Sequence, residues 1–272
     1  MSVISTVISK WWTAHATDSL ITELLADGSR NPIEWERSKI VPVRRWRGAM
    51  SYWGLAKCDA FGWSTFDWLQ NQVAASDEFG SPEEFAKAIA SNLNQQLTQV
   101  SFANPTDSGI GIHFTAYEQV GDYWIPELFL ISNWTDPTYS AVSEHGVRWS
   151  RETYHTIVNS PPEPSHGGPH YRMCVHTFLQ DSGIFIYNNG FPALFNAAAK
   201  GTLQIFRAIA SMGQLADAES PRTYLAIARR PIEVVAKLQT DFCRQGTRRV
   251  GGRLHDLAIT QTGETFSTTG DA

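Results

Sequence analysis

The sequence predicts a mixed α+β fold in which two antiparallel sheets are stacked between helices. Three observations carry this prediction. The hydrophobic period is two at the start of the chain, it changes to the helical period near residue 60, and the same two periods then recur in the same order. The resulting order is strands, two helices, strands, two helices and a final strand. Alternating β-α units, which are typical of a parallel sheet, do not fit it, and residues 1–272 are interpreted as a single domain without internal repeats.

Four strands are predicted in the first sixty residues. Apolar and β-branched residues predict the first two, and two more follow around an Arg-rich turn. A polar stretch with Gly28 and Pro32 interrupts the pattern between the two pairs. The predicted strands are residues 3–9, 12–18, 38–43 and 49–55.

Two helices are predicted next, at about 58–73 and 81–97. The second has a complete start signal, because Ser81 is an N-cap, Pro82 occupies the first helical position and Glu84 completes a capping box. Apolar residues then recur every four positions on one face, namely Phe85, Ile89, Leu93 and Leu97. Both helices are expected to cover one face of the sandwich.

A hairpin and an insertion are predicted in the middle of the chain. Residues 110–117 and 123–132 alternate with period two on either side of a short polar turn, and Pro126 places part of the second strand at an edge or bulge. Residues 133–170 are rich in Pro, Ser, Gly and Glu. We interpret them as an insertion or long loop with one strand near Val147.

The last eighty residues predict two helices, a strand and a tail. One helix runs from Pro192 to about Met212, and another from Pro221 to about Cys243 with an interruption at Pro231. A final strand is expected over 250–260, and residues 267–272 are predicted to be a disordered tail.

Composition argues against several classes of protein. A net charge of −5 does not favour nucleic acid as the main partner. Three widely spaced Cys without a CxxC pair argue against a disulfide framework or a zinc site. The first residues do not form a signal peptide, and a long apolar run that would predict a membrane span is missing. Together these features predict a cytoplasmic protein.

The common catalytic motifs are missing from the sequence. There is no GxSxG elbow, no HExxH, no P-loop and no GxGxxG. His166 and His170 lie four apart, but the Gly-Gly-Pro between them is incompatible with a helix that would bring them onto one face. His113 alternates into a strand and is interpreted as a core or surface histidine. No metal and no cofactor are predicted.

Ser2 is the candidate nucleophile. It follows Met1, and its small side chain permits removal of that methionine, which would leave a serine with a free α-amine. An α-amine has a pKa of about 7.7–8.0, so it can accept the hydroxyl proton near neutral pH where a lysine at about 10.4 could not. One residue then supplies both nucleophile and base. Such a site also needs a cation near the amine, a carboxylate that orients the cation, and backbone N–H groups that bind an oxyanion.

Three segments in the first sixty residues offer these groups in order. Residues 16–22 end a strand in a small-small-acid segment followed by a Thr, and the acid, Asp18, lies sixteen positions after Ser2. Lys39 directly precedes a short apolar strand. A later strand ends in Gly54, and small residues link that glycine to a helix.

These segments resemble the opening of proteasome β-subunits and of their bacterial relatives HslV and Anbu, which are N-terminal-nucleophile hydrolases. Residues 112–132 and 250–260 are similar, more weakly, to the central hairpin and the closing strand of that family. The resemblance implies a four-layer αββα sandwich, with two antiparallel sheets between helix pairs. It also implies cleavage of peptide or other amide bonds.

The resemblance assigns a role to each matching residue. Ser2 is the nucleophile, Lys39 tunes the amine, and Asp18 orients Lys39. The N–H of Gly54 binds the oxyanion, and Thr22 binds the substrate backbone. Family members place this site in a closed chamber, and ten Trp are compatible with broad subunit interfaces, so a homo-oligomer, possibly a ring, acting on polypeptide or other amide substrates is expected.

Two departures from the family concern residues that support the nucleophile. The family has a Ser in a Gly-Ser-Gly turn before its third helix, and residues 188–191 here read Asn-Asn-Gly-Phe. An Asp after the family's last helix is matched only loosely by Asp241. The insertion at 133–170 is also larger than in the core family.

One further interpretation stays open. The chain could be a non-catalytic ring or interaction subunit on the same fold, as proteasomal α-subunits are. The joint presence of Ser2, Asp18 and Lys39 favours catalysis, because a subunit freed from catalysis need not keep the set. An α/β-hydrolase or other serine enzyme is disfavoured by the missing elbow and by the strand order.

Overall fold

A computed structural model describes most of the chain and shows mixed α+β structure. The described residues are 3–9, 12–25, 27, 30–34, 36–58, 61–102, 104–135, 141–153, 185–190, 192–213, 220–243 and 250–268. Within these ranges the chain forms two five-stranded antiparallel sheets, one smaller sheet and four α-helices.

The elements follow the alternation of periods in the sequence. The strands are β1 (Ile4–Ile8), β2 (Trp12–Asp18), β3 (Leu20–Leu24), β4 (Arg30–Glu34), β5 (Ile40–Val43), β6 (Gly48–Gly54), β7 (Lys57–Cys58), β8 (Trp63–Ser64), β9 (Ile110–Val120), β10 (Tyr123–Ser132), β11 (Arg148–Thr153), β12 (Phe185–Asn189), β13 (Leu254–Thr260) and β14 (Thr265–Phe266). The helices are α1 (Thr65–Ala74), α2 (Pro82–Thr98), α3 (Pro192–Ser211) and α4 (Pro221–Phe242).

Each large sheet joins strands that are distant in sequence. The first sheet has the order β12-β1-β2-β13-β14, and the second has the order β11-β10-β9-β6-β5. Strands β1 and β2 of the first sheet contact β6 of the second, and β13 contacts β5. The small sheet has the order β4-β3-β7-β8.

Each large sheet shares an apolar core with helices. On the second sheet, the predicted apolar face of α2 is buried, and Phe85 packs edge-on against Phe114 of β9 at 5.7 Å between ring centroids. On the first sheet, Leu225 and Ile232 of α4 pack with Val7 and Ala14 of β1 and β2. Burial of such faces is the main stabilising contribution to folding.

The start of the first predicted helix was wrong. Helix α1 begins at Thr65, with Ser64 as its N-cap, and Lys57–Cys58 and Trp63–Ser64 are short strands instead. Backbone pairing explains this difference. Lys57–Cys58 pairs in parallel with β3, and Trp63–Ser64 pairs with Lys57–Cys58. Helical periodicity does not reveal such tertiary pairing.

Two other regions also differ from the prediction. The polar stretch between the two predicted pairs of strands contains a further antiparallel pair, β3–β4. Helix α4 continues through Pro231, which is buried, so packing on the first sheet outweighs the disturbance that a proline causes inside a helix.

The remaining boundaries differ in smaller ways. The last strand begins at Leu254 rather than at residue 250, and β14 follows it. Residues 148–153 of the predicted insertion form the edge strand β11, while its residues 154–170 lie outside the described part of the chain. In the predicted tail, Ser267 and Thr268 are ordered by hydrogen bonds to Asp256, and residues 269–272 are outside the description.

Candidate functional site

The candidate site lies where β1 begins and β2 ends. Ser2 is outside the described residues, and the described chain starts at Val3, which is fully buried. The backbone N–H of Val3 donates to Asp18 Oδ1 at 3.1 Å, and the Val3 carbonyl accepts from the Asp18 N–H at 3.4 Å. Because the Val3 nitrogen forms the peptide bond with Ser2, the carboxylate is one residue from the predicted nucleophile.

Asp18 is the centre of this arrangement. Its side chain is fully buried and accepts from three donors among the described residues. Oδ1 accepts from Val3 N–H and from Lys39 Nζ at 2.9 Å, and Oδ2 accepts from Gly251 N–H at 3.2 Å. These three hydrogen bonds connect Asp18 to the start of β1, to Lys39 and to the segment before β13.

Lys39 lies directly before β5 and is only 1% exposed. Its Nζ donates to Asp18 Oδ1 at 2.9 Å and to the carbonyl oxygen of Leu20 at 2.6 Å. Burial lowers the pKa of Lys39 below its ordinary value, and the charge and hydrogen bond of Asp18 oppose that shift. The expected proximity of Lys39 and Asp18 is confirmed, and the ammonium is held by acceptors on two sides.

The loop before β13 is hydrogen-bonded to the residues at the end of β2. The carbonyl of Gly251 accepts from Leu20 N–H at 2.9 Å, and Arg253 N–H donates to Ser19 Oγ at 2.7 Å. Gly252 has φ +75°, and a Cβ there would lie 2.3 Å from Ser19 Oγ. Glycine is therefore required at 252 both by backbone conformation and by the close approach.

Gln239 was missed by sequence reasoning. It is buried on α4, and its Oε1 accepts from Val250 N–H at 3.0 Å, next to the glycine that donates to Asp18. Asp241, the residue that the sequence suggested from the same helix, forms an exposed ion pair with Lys237 at 2.7 Å. The sequence offers one signal for Gln239, which is a polar residue at a position on the buried face of the amphipathic helix, near its end.

The two other predicted residues lie on strands of different sheets, Gly54 in the second large sheet and Thr22 in the small sheet. Gly54 ends β6 with φ +89°, at the same end of the β5–β6 pair as Lys39. Thr22 lies in β3, two residues after the Leu20 carbonyl that binds Lys39. Among the described residues, Asp18 and Lys39 are in direct contact, Thr22 is on the strand that follows Asp18, and Gly54 ends the strand that pairs with β5.

A second buried polar cluster joins the two large sheets. His15 of β2 bonds Ser51 Oγ through Nδ1 and Thr115 Oγ1 through Nε2, each at 2.8 Å. His113 of β9 receives a hydrogen bond from Asn189 Nδ2 at Nε2, so its Nδ1–H donates to Thr6 Oγ1 at 2.8 Å. His113, which the sequence left as either a core or a surface histidine, is fully buried and hydrogen-bonded in the core.

Burial keeps both histidines uncharged. It lowers the pKa of His15 to about 3, and burial together with the neighbouring His15 lowers the pKa of His113 well below its ordinary value. Ser51 and His15 form a serine–histidine contact, but both are fully buried, so a substrate cannot reach the hydroxyl. We therefore assign this cluster to inter-sheet packing.

Within the described ranges, no three His, Cys, Asp or Glu residues are grouped as metal ligands would be. His166 and His170 lie outside those ranges. In the same part of the chain, none of the helices is long and apolar enough to cross a membrane. No model of a known protein family matches the chain, and no curated protein matches it at a significant level.

Proposed function

We propose that this protein is an N-terminal-nucleophile hydrolase with an αββα sandwich, in which Ser2, exposed by removal of Met1, cleaves peptide or other amide bonds. The observation that carries the proposal is the buried Lys39–Asp18 pair bound to the N–H of Val3. Asp18 binds the backbone of the residue that follows the proposed nucleophile, and Lys39 binds the same carboxylate oxygen. The contacts between the two large sheets, and the helices packed with each of them, support the sandwich.

The chemistry begins with proton transfer inside Ser2. Its α-amine takes the hydroxyl proton as Oγ attacks the substrate carbonyl, and the carbonyl oxygen becomes an oxyanion that the Gly54 N–H stabilises. The C–N bond then breaks, the amine proton passes to the leaving nitrogen, and an ester forms on Oγ. Water hydrolyses the ester and restores Ser2.

Lys39 provides the electrostatic part of this proposal. A positive charge near the α-amine disfavours its protonation, so a larger fraction of the amine is available as a base at neutral pH. Asp18 and the Leu20 carbonyl fix the position of Nζ. Asp18 also binds the backbone next to Ser2, so one carboxylate aligns both the cation and the nucleophile.

Hydrolysis of peptide amides by the processed protein tests the proposal. Ser2→Ala removes the hydroxyl and keeps the amine, so turnover should disappear. Ser2→Thr keeps both groups and should retain part of the activity. Turnover by Ser2→Ala at the wild-type rate would place the reaction elsewhere.

A second candidate is a non-catalytic ring or interaction subunit with the same sandwich. One observation favours it: the Asp18–Lys39 pair also binds the backbone of Val3, Leu20 and Gly251, so it would stabilise the fold without any reaction. Retention of Met1 in the native protein, with no hydrolysis, would support this candidate. The pair would then be a structural clamp.

A further inference from the structure

Asn133 joins the end of β10 to the start of β9. It directly follows β10 and is only 3% exposed. Its Oδ1 accepts from the Ile110 N–H at 2.9 Å, its Nδ2 donates to the Ser108 carbonyl at 3.0 Å, and its backbone N–H donates to the Ile110 carbonyl at 3.3 Å. The Ser132 hydroxyl donates to the same Ile110 carbonyl at 3.2 Å. Both backbone groups of Ile110 are therefore bound on the β10 side.

This binding determines which way the backbone of Gly54 faces. Ile110 is paired with Gly54, the last residue of β6. In an antiparallel ladder, opposite residues either exchange both backbone hydrogen bonds or point these groups away from each other, and the two kinds of pair alternate. Because Ile110 directs its groups to β10, the N–H of Gly54 points away from β9. The next pair fits this alternation, since the Leu55 N–H donates to the Gly109 carbonyl at 2.7 Å.

On the other side of β6, the pairing with β5 ends before it reaches Gly54. The last pair of this ladder is Ile40 with Ser51, and Lys39 directly precedes Ile40. The Gly54 N–H is therefore directed to the side of the sheet from which Lys39 comes, beyond the end of β5. In this direction it can bind a substrate oxygen without breaking the ladder with either neighbouring strand.

Close packing holds Gly54 in this arrangement. Gly54 has φ +89°, and a Cβ there would lie 2.2 Å from the Gly109 carbonyl oxygen. A Cβ at Gly109 would in turn lie 2.0 Å from the Trp134 indole. Gly54, Gly109 and Trp134 are thus in direct contact, and a shift of residues 108–110 would also shift Gly54.

We infer that Asn133 is a positioning residue for the oxyanion donor, because it holds residues 108–110 against Gly54 and so directs the Gly54 N–H to the side of Lys39. The role of this N–H rests on the proposed function, whereas the contacts that hold it do not. Asn133 acts through the start of β9 and contacts no reacting atom. It is the first residue of the predicted insertion, to which the sequence gave no role at the site.

Two measurements on Asn133→Ala test the inference. The substitution removes the acceptor of the Ile110 N–H and the donor to the Ser108 carbonyl. The Leu55 amide, whose bond to Gly109 depends on the same backbone, should exchange with solvent about tenfold faster than in wild type. Because the oxyanion forms only on the way to the transition state, kcat for a peptide amide should fall about ten- to a hundredfold while KM stays within about twofold.

Asn94→Ala is the matched control. Asn94 of α2 also binds both backbone groups of one residue, since it accepts from the Val147 N–H at 2.6 Å and donates to the Val147 carbonyl at 2.9 Å. Val147 directly precedes β11, which β10 and β9 separate from β6. This variant should lose a similar amount of thermal stability and keep the wild-type Leu55 exchange and kcat. Asn133→Asp keeps one acceptor and should show smaller changes in the same direction as Asn133→Ala, so it carries the test if the alanine variant does not fold.

The outcomes separate this inference from the proposed function. Unchanged Leu55 exchange in the Asn133 variants, or an equal acceleration in Asn94→Ala, would overturn the inference. A loss of activity in Asn133→Ala that comes from KM alone would also overturn it. A wild-type protein without turnover would contradict the proposed function instead, and Leu55 exchange would then decide whether Asn133 holds this backbone.

Discussion

The structure contains two buried polar clusters, and they accommodate polar side chains in the interior in different ways. At the end of β2, Asp18 and Lys39 keep opposite charges in the interior at 2.9 Å. Between the large sheets, His15 and His113 are equally buried but uncharged, and their partners are hydroxyl and amide groups. The first cluster binds backbone groups of three chain segments, whereas the second bonds side chains across a sheet interface.

The two clusters differ in the kind of change that would disrupt them. The charged pair is sensitive to the loss of one charge, because the remaining ion would stay buried without its partner. The histidine layer is sensitive to the gain of a charge, because protonation would place an unpaired cation in the core. The two clusters should therefore respond to different perturbations.

Removing the charge of Asp18 should have the largest effect. Asp18→Asn leaves Lys39 buried without a counter-ion and should lower the free energy of unfolding by about 3–5 kcal/mol. The matched control is Asp67→Asn, which breaks an exposed ion pair with Arg37 at 2.8 Å and should cost less than about 1 kcal/mol. Urea unfolding of both variants measures the difference. Equal losses would mean that the buried pair is no more important than the surface pair.

Acid should destabilise the histidine layer. Both folded-state pKa values are lowered, so below the ordinary pKa of 6.5 the unfolded chain binds protons that the folded chain does not. The stability is fully present above about pH 6.5 and is lost as pH falls toward about 3. At about pH 5.5 the two histidines together should lower the free energy of unfolding by about 3 kcal/mol.

Denaturant unfolding across pH measures this dependence. His15→Gln should reduce the slope below about pH 6 by about 1.4 kcal/mol per pH unit. His145→Gln changes an exposed histidine and should leave the slope as it is. An unchanged slope in His15→Gln would show that His15 is protonated in the folded chain.

Alanine substitutions at Gly62 and Gly252 should separate the cost of backbone strain from the cost of crowding beside Asp18. Gly62 and Gly252 both have positive φ, but a Cβ at Gly62 meets no atom of the described residues within 4 Å. Gly62→Ala should therefore cost about 1–2 kcal/mol from the backbone alone. Gly252→Ala should cost at least about 1 kcal/mol more, because Ser19 or the loop must move. Thermal unfolding of the two variants gives the comparison, and equal losses would show that the loop yields freely.

Gln239 should show the smallest of these effects. Gln239→Leu removes the acceptor of the buried Val250 N–H and should cost about 1–2 kcal/mol. Hydrogen exchange at the Val250 amide should accelerate in this variant. Gln119→Leu, at an exposed position near the end of β9, is the control and should change the free energy of unfolding by less than about 0.5 kcal/mol. Unaltered exchange at Val250 would show that Gln239 does not protect this amide.

Local signals predicted much of the fold. The predicted N-cap of α2 is confirmed, since Ser81 Oγ accepts from Glu84 N–H at 3.1 Å, and α2 follows within one residue of its predicted start. The Glu84 side chain accepts from Gly80 N–H at 2.9 Å instead of completing the capping box at Ser81. Strand β2 and the hairpin β9–β10 were also recognisable from period two. Each of these signals depends on residues within a few positions of one another, so the sequence displays them directly.

The rest of the site depends on residues far apart in the chain. Gly251 and Asp18 are separated by 233 positions, and their contact requires β13 to pair with β2. The strands β7 and β8 are two residues each and depend on tertiary pairing, because β7 pairs with β3 and β8 pairs with β7. Sequence could point to Asp18 and Lys39 through a resemblance, but it could not show that Gln239 and Gly252 hold the loop against them.

The central claim is that Ser2 acts as a nucleophile with its own α-amine. The most direct measurement is the intact mass of the native protein before and after treatment with a peptidyl epoxyketone, which forms a ring only with a residue that offers both a hydroxyl and a free α-amine. The account predicts that Met1 is missing, that one adduct forms and maps to Ser2, and that Ser2→Ala abolishes it. A native protein that retains Met1 and takes up no epoxyketone would contradict the claim.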